Sequence, residues 1–295
     1  MTTIELIEHW AARLTEAGVS FGHGTTNAFD EAAWLVLHAL KIPLGELDLV
    51  QNNPVAGVEQ SFVATLLGAR IATRKPAAYL TNQAWLQGVP FFVDERAIVP
   101  RSLIAEIICN AETASDIDYW LGEHTKRVLD LCTGNGSLAV LAAMAWPDVV
   151  VDAADLSPQA LEVARINITE HKLTERITLI ESDGMAHTPG PYDLIVCNPP
   201  YVNRETMGQL PAEYLAEPTI ALDGNRLGGT DGMDFIRQLL KGAPSCMSER
   251  GVLVLEIGNE RAHFEAAFPT LPAIWLETSA GEDQVLLLTR DALIA

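Results

Sequence analysis

Through the N-terminal part of the chain apolar residues return at every third or fourth position, the period of an amphipathic helix. Ile7, Trp10, Ala11 and Leu14 fall on one face, which Thr2 opens with Glu5 at the spacing of a capping box and Gly18 closes. A second helix is predicted from Asn27, with Asp30 in its first turn and Phe29, Ala33, Leu37 and Leu40 as its apolar stripe. A third runs from about Val58 to Arg74, where Pro76 stops it. From Tyr79 to Pro100 the pattern turns to aromatic and β-branched residues broken by Gly88 and Pro90, which predicts a hairpin.

Beyond the hairpin, apolar runs of strand length alternate with helical stretches. Val128–Cys132, Val149–Ala153, Ile177–Glu181 and Leu194–Cys197 read as strands, with helices near Ser137–Trp146 and Ser157–His171 between the first three. Val252–Ile257, Ala273–Leu276 and Gln284–Thr289 add three more, the last two close enough to pair antiparallel. Such alternation predicts an α/β fold with a mainly parallel sheet covered on both faces. The division expected is a helical domain at 1–80, a hairpin linker at 81–100 and the sheet domain at 101–295.

Composition narrows the setting. With 48% hydrophobic and 20% charged residues the chain reads as an ordinary water-soluble globular protein, and no apolar run approaches the length of a membrane span. The acidic start lacks the pattern of a secretory signal. Cys109, Cys132, Cys197 and Cys246 form no CxxC pair, which suits a reducing cytoplasm and argues against a zinc site. The formal net charge of −20 repels nucleic acid and favours a basic partner, unless it serves solubility alone.

The first strand of the sheet leads into Asp130-Leu131-Cys132-Thr133-Gly134-Asn135-Gly136-Ser137, and a helix begins straight after it. Gly134 and Gly136 leave no side chain between backbone and ligand, while the helix start offers unpaired N–H groups. Asp155 ends the second strand about 20 residues later, where a carboxylate can accept from both hydroxyls of a ribose. It could equally be a helix cap, since Ser157 follows it. Asp183, before Gly184 at the end of the third strand, is placed to accept from an adenine amino group. The glycine pattern alone fits NAD, S-adenosylmethionine or a bare structural turn. Asp130 tips the choice toward S-adenosylmethionine, because an acid before the glycines suits the cationic amino group of a methionine moiety better than a pyrophosphate.

The fourth strand closes with Asn198-Pro199-Pro200-Tyr201. Two prolines rigidify the backbone and remove two donors, so the carbonyls stand as fixed acceptors. The Asn198 side-chain oxygen and the Pro199 carbonyl can take both protons of one NH2 group, and the Tyr201 ring can stack on the flat group that carries it. Methyl transfer from a sulfonium depends mainly on positioning. The transfer needs no strong base, and none is evident in the sequence.

Asp130–Gly136 followed by Asn198–Tyr201 resembles the HemK/PrmC/PrmB family of protein glutamine methyltransferases, and the likeness covers nearly the whole chain. It implies a Rossmann-like class I methyltransferase sheet of seven strands, S-adenosylmethionine as cofactor, and methylation of a glutamine side-chain amide. Tyr79–Trp85, Val93–Arg96 and Val99–Ser102 are similar to the PrmB branch, whose substrate is the basic large-subunit ribosomal protein L-three. The release-factor branch usually has Pro-Arg-Pro-Glu-Thr-Glu where this chain has Pro100-Arg101-Ser102-Leu103-Ile104-Ala105. Leu103 stands where a proline is common in the PrmB branch, and Leu222–Gly229 is richer in glycine than the family pattern. Release-factor methylation, an adenine amino-methyltransferase and a non-catalytic ribosome-assembly factor are the rival readings. The acidic charge weighs against the second, and the intact glycine turn with Asn198 against the third.

Overall fold

The computed structural model describes residues 1–109, 117 and 119–295. A hairpin, β1 (Ala84–Leu86) and β2 (Val89–Phe91), separates an N-terminal group of helices from a seven-stranded sheet. The sheet strands are β3 (Arg127–Leu131), β4 (Val150–Asp155), β5 (Ile177–Glu181), β6 (Tyr192–Cys197), β7 (Met247–Glu256), β8 (Ile274–Thr278) and β9 (Gly281–Thr289), in the order β5-β4-β3-β6-β7-β9-β8. β3 to β7 are parallel, and β9 runs against both β7 and β8. The order reverses between β3 and β6, the switch point where open parallel sheets leave a crevice at their strand ends.

Alternating side chains feed two cores. Val128, Val151, Val196 and Val254 pack toward the helices Ile104–Cys109, Ser137–Ala145 and Pro158–Glu170. Leu129, Ile195, Leu253 and Leu255 pack on the other face against Ile236, Leu239 and Ala243 of the helix Asp234–Cys246. With both faces covered, the strands read as unbroken apolar runs, which is why the sequence reveals them.

The helix Thr3–Glu16 carries the expected capping box: Thr2 accepts from the Glu5 N–H and Glu5 accepts from the Thr2 N–H. Asn27 caps Ala28–Leu40, and Gly57–Thr73 is the third long helix. Their shared core joins Leu6, Trp10, Leu35, Val63 and Leu67 to Val93 and Val99 beyond the hairpin. Arg70, fully buried, ties this region to the short helix Ala212–Leu215 between β6 and β7: it donates to Glu31 at 2.8 Å and to Glu213 at 3.3 Å.

Two local expectations change. Ala77–Thr81 is a helical turn after Pro76 instead of strand, with the Tyr79 hydroxyl donating to the Ala97 carbonyl at 2.7 Å. The hairpin is confined to two three-residue strands around Gln87 and Gly88, both at positive φ as a tight two-residue turn requires. The helix Asp234–Cys246 escapes sequence reading because no side chain caps it, glycines precede it and Pro244 lies inside it.

Candidate active site

β3 passes into the turn Cys132–Gly136, whose backbone is left-handed at Cys132 (φ 61°), Gly134 (φ 56°) and Gly136 (φ 81°). The turn opens on a cavity of about 480 Å³ that is also lined by Asp155, Asp183, Gly184 and Asn198–Tyr201. Cys132, Thr133, Gly134 and Asn135 lie on its wall. Two residues sit elsewhere than the sequence reading expects. Asp130 is fully buried beneath the turn, where its Oδ2 accepts from the Thr133 hydroxyl and from the Ala139 N–H at 2.9 Å, so it braces strand, turn and helix together. Burial pushes its carboxyl up to about 7 despite these bonds, and its Oδ1 has no hydrogen-bond partner among the described residues. Gly136 faces a neighbouring helix: a Cβ there would stand 3.0 Å from that of Ala164. Its glycine serves helix packing.

Asp155 meets the turn from β4. Its Oδ2 accepts from the Gly134 N–H at 2.9 Å and its Oδ1 from the Ser157 N–H at 2.8 Å, which leaves each oxygen a second lone pair on the cavity side. Burial raises its pKa against these backbone bonds. The helix cap is Ser157, which accepts from the Ala160 N–H. An adenosyl cofactor suits this wall on three counts. Gly134 presents bare backbone, Asp155 and the exposed Asp183 present carboxylates, and the buried Asn135 Nδ2, a donor without a partner among the described residues, offers a bond to the carboxylate of a methionine moiety.

Across the cavity, β6 delivers Asn198, whose side-chain amide makes no hydrogen bond with the described residues and lines the open space. Pro199 and Pro200 are buried behind it. Tyr201 is clamped by two glycines. A Cβ on Gly258 (φ 52°) would lie 2.7 Å from its ring, and one on Gly232 (φ 77°) would lie 2.1 Å from its carbonyl oxygen. The glycine-rich segment is the clasp that makes this possible. Val202 donates to Leu222 O at 2.9 Å and its own carbonyl accepts from Gly224 at 3.1 Å and from the Asn225 amide at 3.0 Å. Asn225 Oδ1 then accepts from the Gly232 N–H at 2.9 Å.

The remaining wall joins residues far apart in the chain. Glu217, wholly buried, accepts two 2.7 Å bonds from the Arg101 guanidinium and one of 2.9 Å from the Val99 N–H. His23 Nε2 stands 3.3 Å from the same carboxylate without the alignment of a hydrogen bond. Burial alone would raise Glu217; Arg101 and His23 instead hold it down at about 2. The Arg101 guanidinium also lies 5.4 Å from the Tyr214 ring centre. Glu256, at the end of β7, has the opposite fate: burial pushes it up to about 7, against bonds from Ser102, Ile104 and Leu103 and the charge of Arg101.

The model of the Methyltransferase small domain matches residues 117–222. A ribosomal protein uL3 glutamine methyltransferase from Bordetella pertussis is 49% identical, covering 99% of this chain and 96% of its own. One of the same description from Neisseria gonorrhoeae is 46% identical over 100% and 96%. The chain belongs to the uL3 glutamine methyltransferase family. The hMettl16 catalytic domain, solved with a MAT2A 3′UTR hairpin, shares the fold at a TM-score of 0.52 and 13% identity, over 79% of this chain and 81% of that one.

In this methyltransferase the residues singled out from sequence, apart from Asp130 and Gly136, converge on one cavity. Sequence reading misses His23, Arg101, Glu217, Gly232, Glu256 and Gly258. Arg101 and Ser102 stood in a quoted pattern without a role, and for Glu256 the only signal was its place after an apolar run, Val252–Leu255. Among the described residues no His/Cys/Asp/Glu group could hold a metal, and no helix is long and apolar enough to cross a membrane.

Proposed function

We propose that this chain transfers a methyl group from S-adenosylmethionine to the side-chain amide nitrogen of a glutamine in ribosomal protein uL3. The observation that carries the reading is the meeting of two dissimilar walls in one cavity, the bare Gly134 turn with its carboxylates and the unengaged acceptors of Asn198 and Pro199. The cofactor supplies, when bound, a methyl group on a positively charged sulfur. The Gly134 turn, Asn135, Asp155 and Asp183 hold it. Asn198 Oδ1 and the Pro199 carbonyl accept the two amide protons and turn the nitrogen toward the methyl. Tyr201, fixed by Gly232 and Gly258, supports the amide plane with its ring. Because the amide lone pair is delocalised, acceptors that stabilise positive charge growing on the nitrogen matter most in the transition state.

The net charge of −20 suits a basic protein partner and disfavours a phosphate backbone. The helical region, residues 1–80, is the part that selects the protein substrate, with 81–100 as its linker to the methyltransferase domain at 101–295; a working place in the cytoplasm, beside nascent ribosomes, follows from such a substrate. The test is incubation of the purified chain with uL3 and labelled S-adenosylmethionine, followed by peptide mass spectrometry. One methyl on one uL3 glutamine is the expected result. Label in release factors or in adenine-containing nucleic acid, with none in uL3, would overturn the reading.

A further inference from the structure

Glu256 is a buried carboxylate for which the proposed positioning roles leave no task. Ser102 Oγ, the Leu103 N–H at 2.9 Å and the Ile104 N–H at 3.4 Å all donate to its Oε2. All of these bonds end on Oε2 and none from the described residues reaches Oε1, and the residue lines the cavity. Strand register fixes its neighbour. β6 and β7 run parallel with Cys197 beside Leu255. Asn198 follows β6 directly and Glu256 ends β7, so the two stand at the same end of neighbouring strands, and both line the cavity.

The proposed reaction needs a group in that place. The amide nitrogen enters with two protons, and its lone pair forms the new bond to carbon while the sulfur takes the pair of the bond that breaks. The nitrogen stays positive until one N–H bond breaks, returns its electron pair to nitrogen and gives up the proton. Asn198 Oδ1 and the Pro199 carbonyl are amide oxygens, far too weakly basic to keep it. We propose that Glu256 is the proton acceptor: once the N–C bond has formed, the N–H held by Asn198 Oδ1 turns to the neighbouring Glu256 Oε1, which takes the proton, becoming a carboxylic acid, and returns it to water after the product leaves. The inference rests on the proposed reaction.

Burial places the Glu256 carboxyl at about 7, where an acceptor is matched to neutral pH. The charged and titratable groups that face it are Arg101, from the segment before the helix Ile104–Cys109, and Tyr201, from the loop after β6. Burial pushes Asp130 up to about 7 as well, but it braces the turn from beneath and is not part of the cavity wall.

The experiment measures kcat and kcat/KM for uL3 between pH 5.5 and 9 at saturating S-adenosylmethionine, with cofactor affinity by calorimetry and melting temperature alongside. Glu256→Gln keeps an acceptor for Ser102 and Leu103 but cannot take a proton. It should lower kcat by about 10²–10⁴-fold and erase the limb that rises through neutral pH in the wild type, with cofactor affinity unchanged within a few-fold. Ser102→Ala removes a bond that favours the carboxylate and should move the limb to higher pH, which keeps the inference testable if Glu256→Gln unfolds. A Glu256→Gln enzyme within threefold of wild-type kcat, or a limb that stays in place in both variants, would overturn it. Wild-type enzyme that leaves uL3 unmodified would overturn the proposed reaction and the inference together; wild-type product with an unaltered variant profile would overturn the inference alone.

Discussion

On the Gly134 side of the cavity the carboxylate contacts are short in sequence: Asp130 reaches Thr133 and Ala139, and Asp155 reaches Gly134. On the Asn198 side they span the molecule, Arg101 meeting Glu217 across 116 residues and Ser102 meeting Glu256 across 154. The charges differ as sharply. Glu217 is compensated by a guanidinium and held at about 2, whereas Asp130 and Glu256 form no ion pair among the described residues and burial pushes both up to about 7. One wall is a local unit that can preform. The other exists only when the whole chain is folded, so its chemistry is tied to global stability.

The strongest way to break this contrast is to unpair Glu217. Arg101→Met leaves a buried carboxylate without its main partner, a change that costs about 3–5 kcal/mol, here toward the low end because a quarter of the Arg101 side chain is exposed. Urea unfolding should show the loss at neutral pH. The sign with pH follows from the depressed pKa: the stability Glu217 contributes is complete above its usual value of 4.5 and disappears as pH falls toward about 2. The gap between Arg101→Met and wild type should therefore narrow as pH falls below 4.5. A gap independent of pH would mean that Arg101 stabilises through its packing on Tyr214 instead.

Asn198→Ala tests the same wall without touching its charges. Losing one preorganised polar partner of a transition state costs about 10²–10³ in rate, or roughly 3–4 kcal/mol. The fall should appear in kcat, with cofactor affinity by calorimetry within a few-fold of wild type. Equal loss of cofactor binding would assign Asn198 to the opposite wall.

Legibility in the sequence follows the same division. All seven sheet strands and the three long N-terminal helices could be read, because periodicity and caps are local signals: Thr2 with Glu5, Asn27 before Asp30, apolar runs buried on both faces. The Gly134 turn could be read for the same reason, although Gly136 looked like a ligand contact and is a packing contact with Ala164. Glu217 and Glu256 could not, since nothing near either in sequence hints at Arg101 or Ser102. The glycine-rich segment was visible as composition, but its purpose, letting Gly232 and the distant Gly258 close on Tyr201, is set by tertiary contact.

Gly258→Ala measures how tightly that clamp matters. A non-glycine residue in left-handed backbone costs about 1–3 kcal/mol, and the new methyl must also displace the Tyr201 ring. Stability should fall within that range, with kcat for uL3 about tenfold lower, a loss of ~1.4 kcal/mol, and cofactor affinity unaffected. Full activity in a merely destabilised protein would show that the ring position is unimportant.

The smallest effect is expected on the local wall. Asp155→Ala removes the acceptor proposed for the ribose hydroxyls and should weaken S-adenosylmethionine about tenfold, ~1.4 kcal/mol. Its helix keeps its cap, because Ser157 accepts from Ala160, so the melting temperature should change little beyond the two lost bonds from Gly134 and Ser157. Calorimetry on Asp155→Ala and Asp155→Asn separates binding from scaffold. Asparagine retains one acceptor oxygen, whose two lone pairs can serve the Gly134 N–H and one ribose hydroxyl but not the second hydroxyl, and should fall between wild type and alanine in affinity. If both variants bind the cofactor as wild type does and only melt earlier, Asp155 is a brace like Asp130, and the cofactor's hold on this wall reduces to backbone, Asn135 and Asp183.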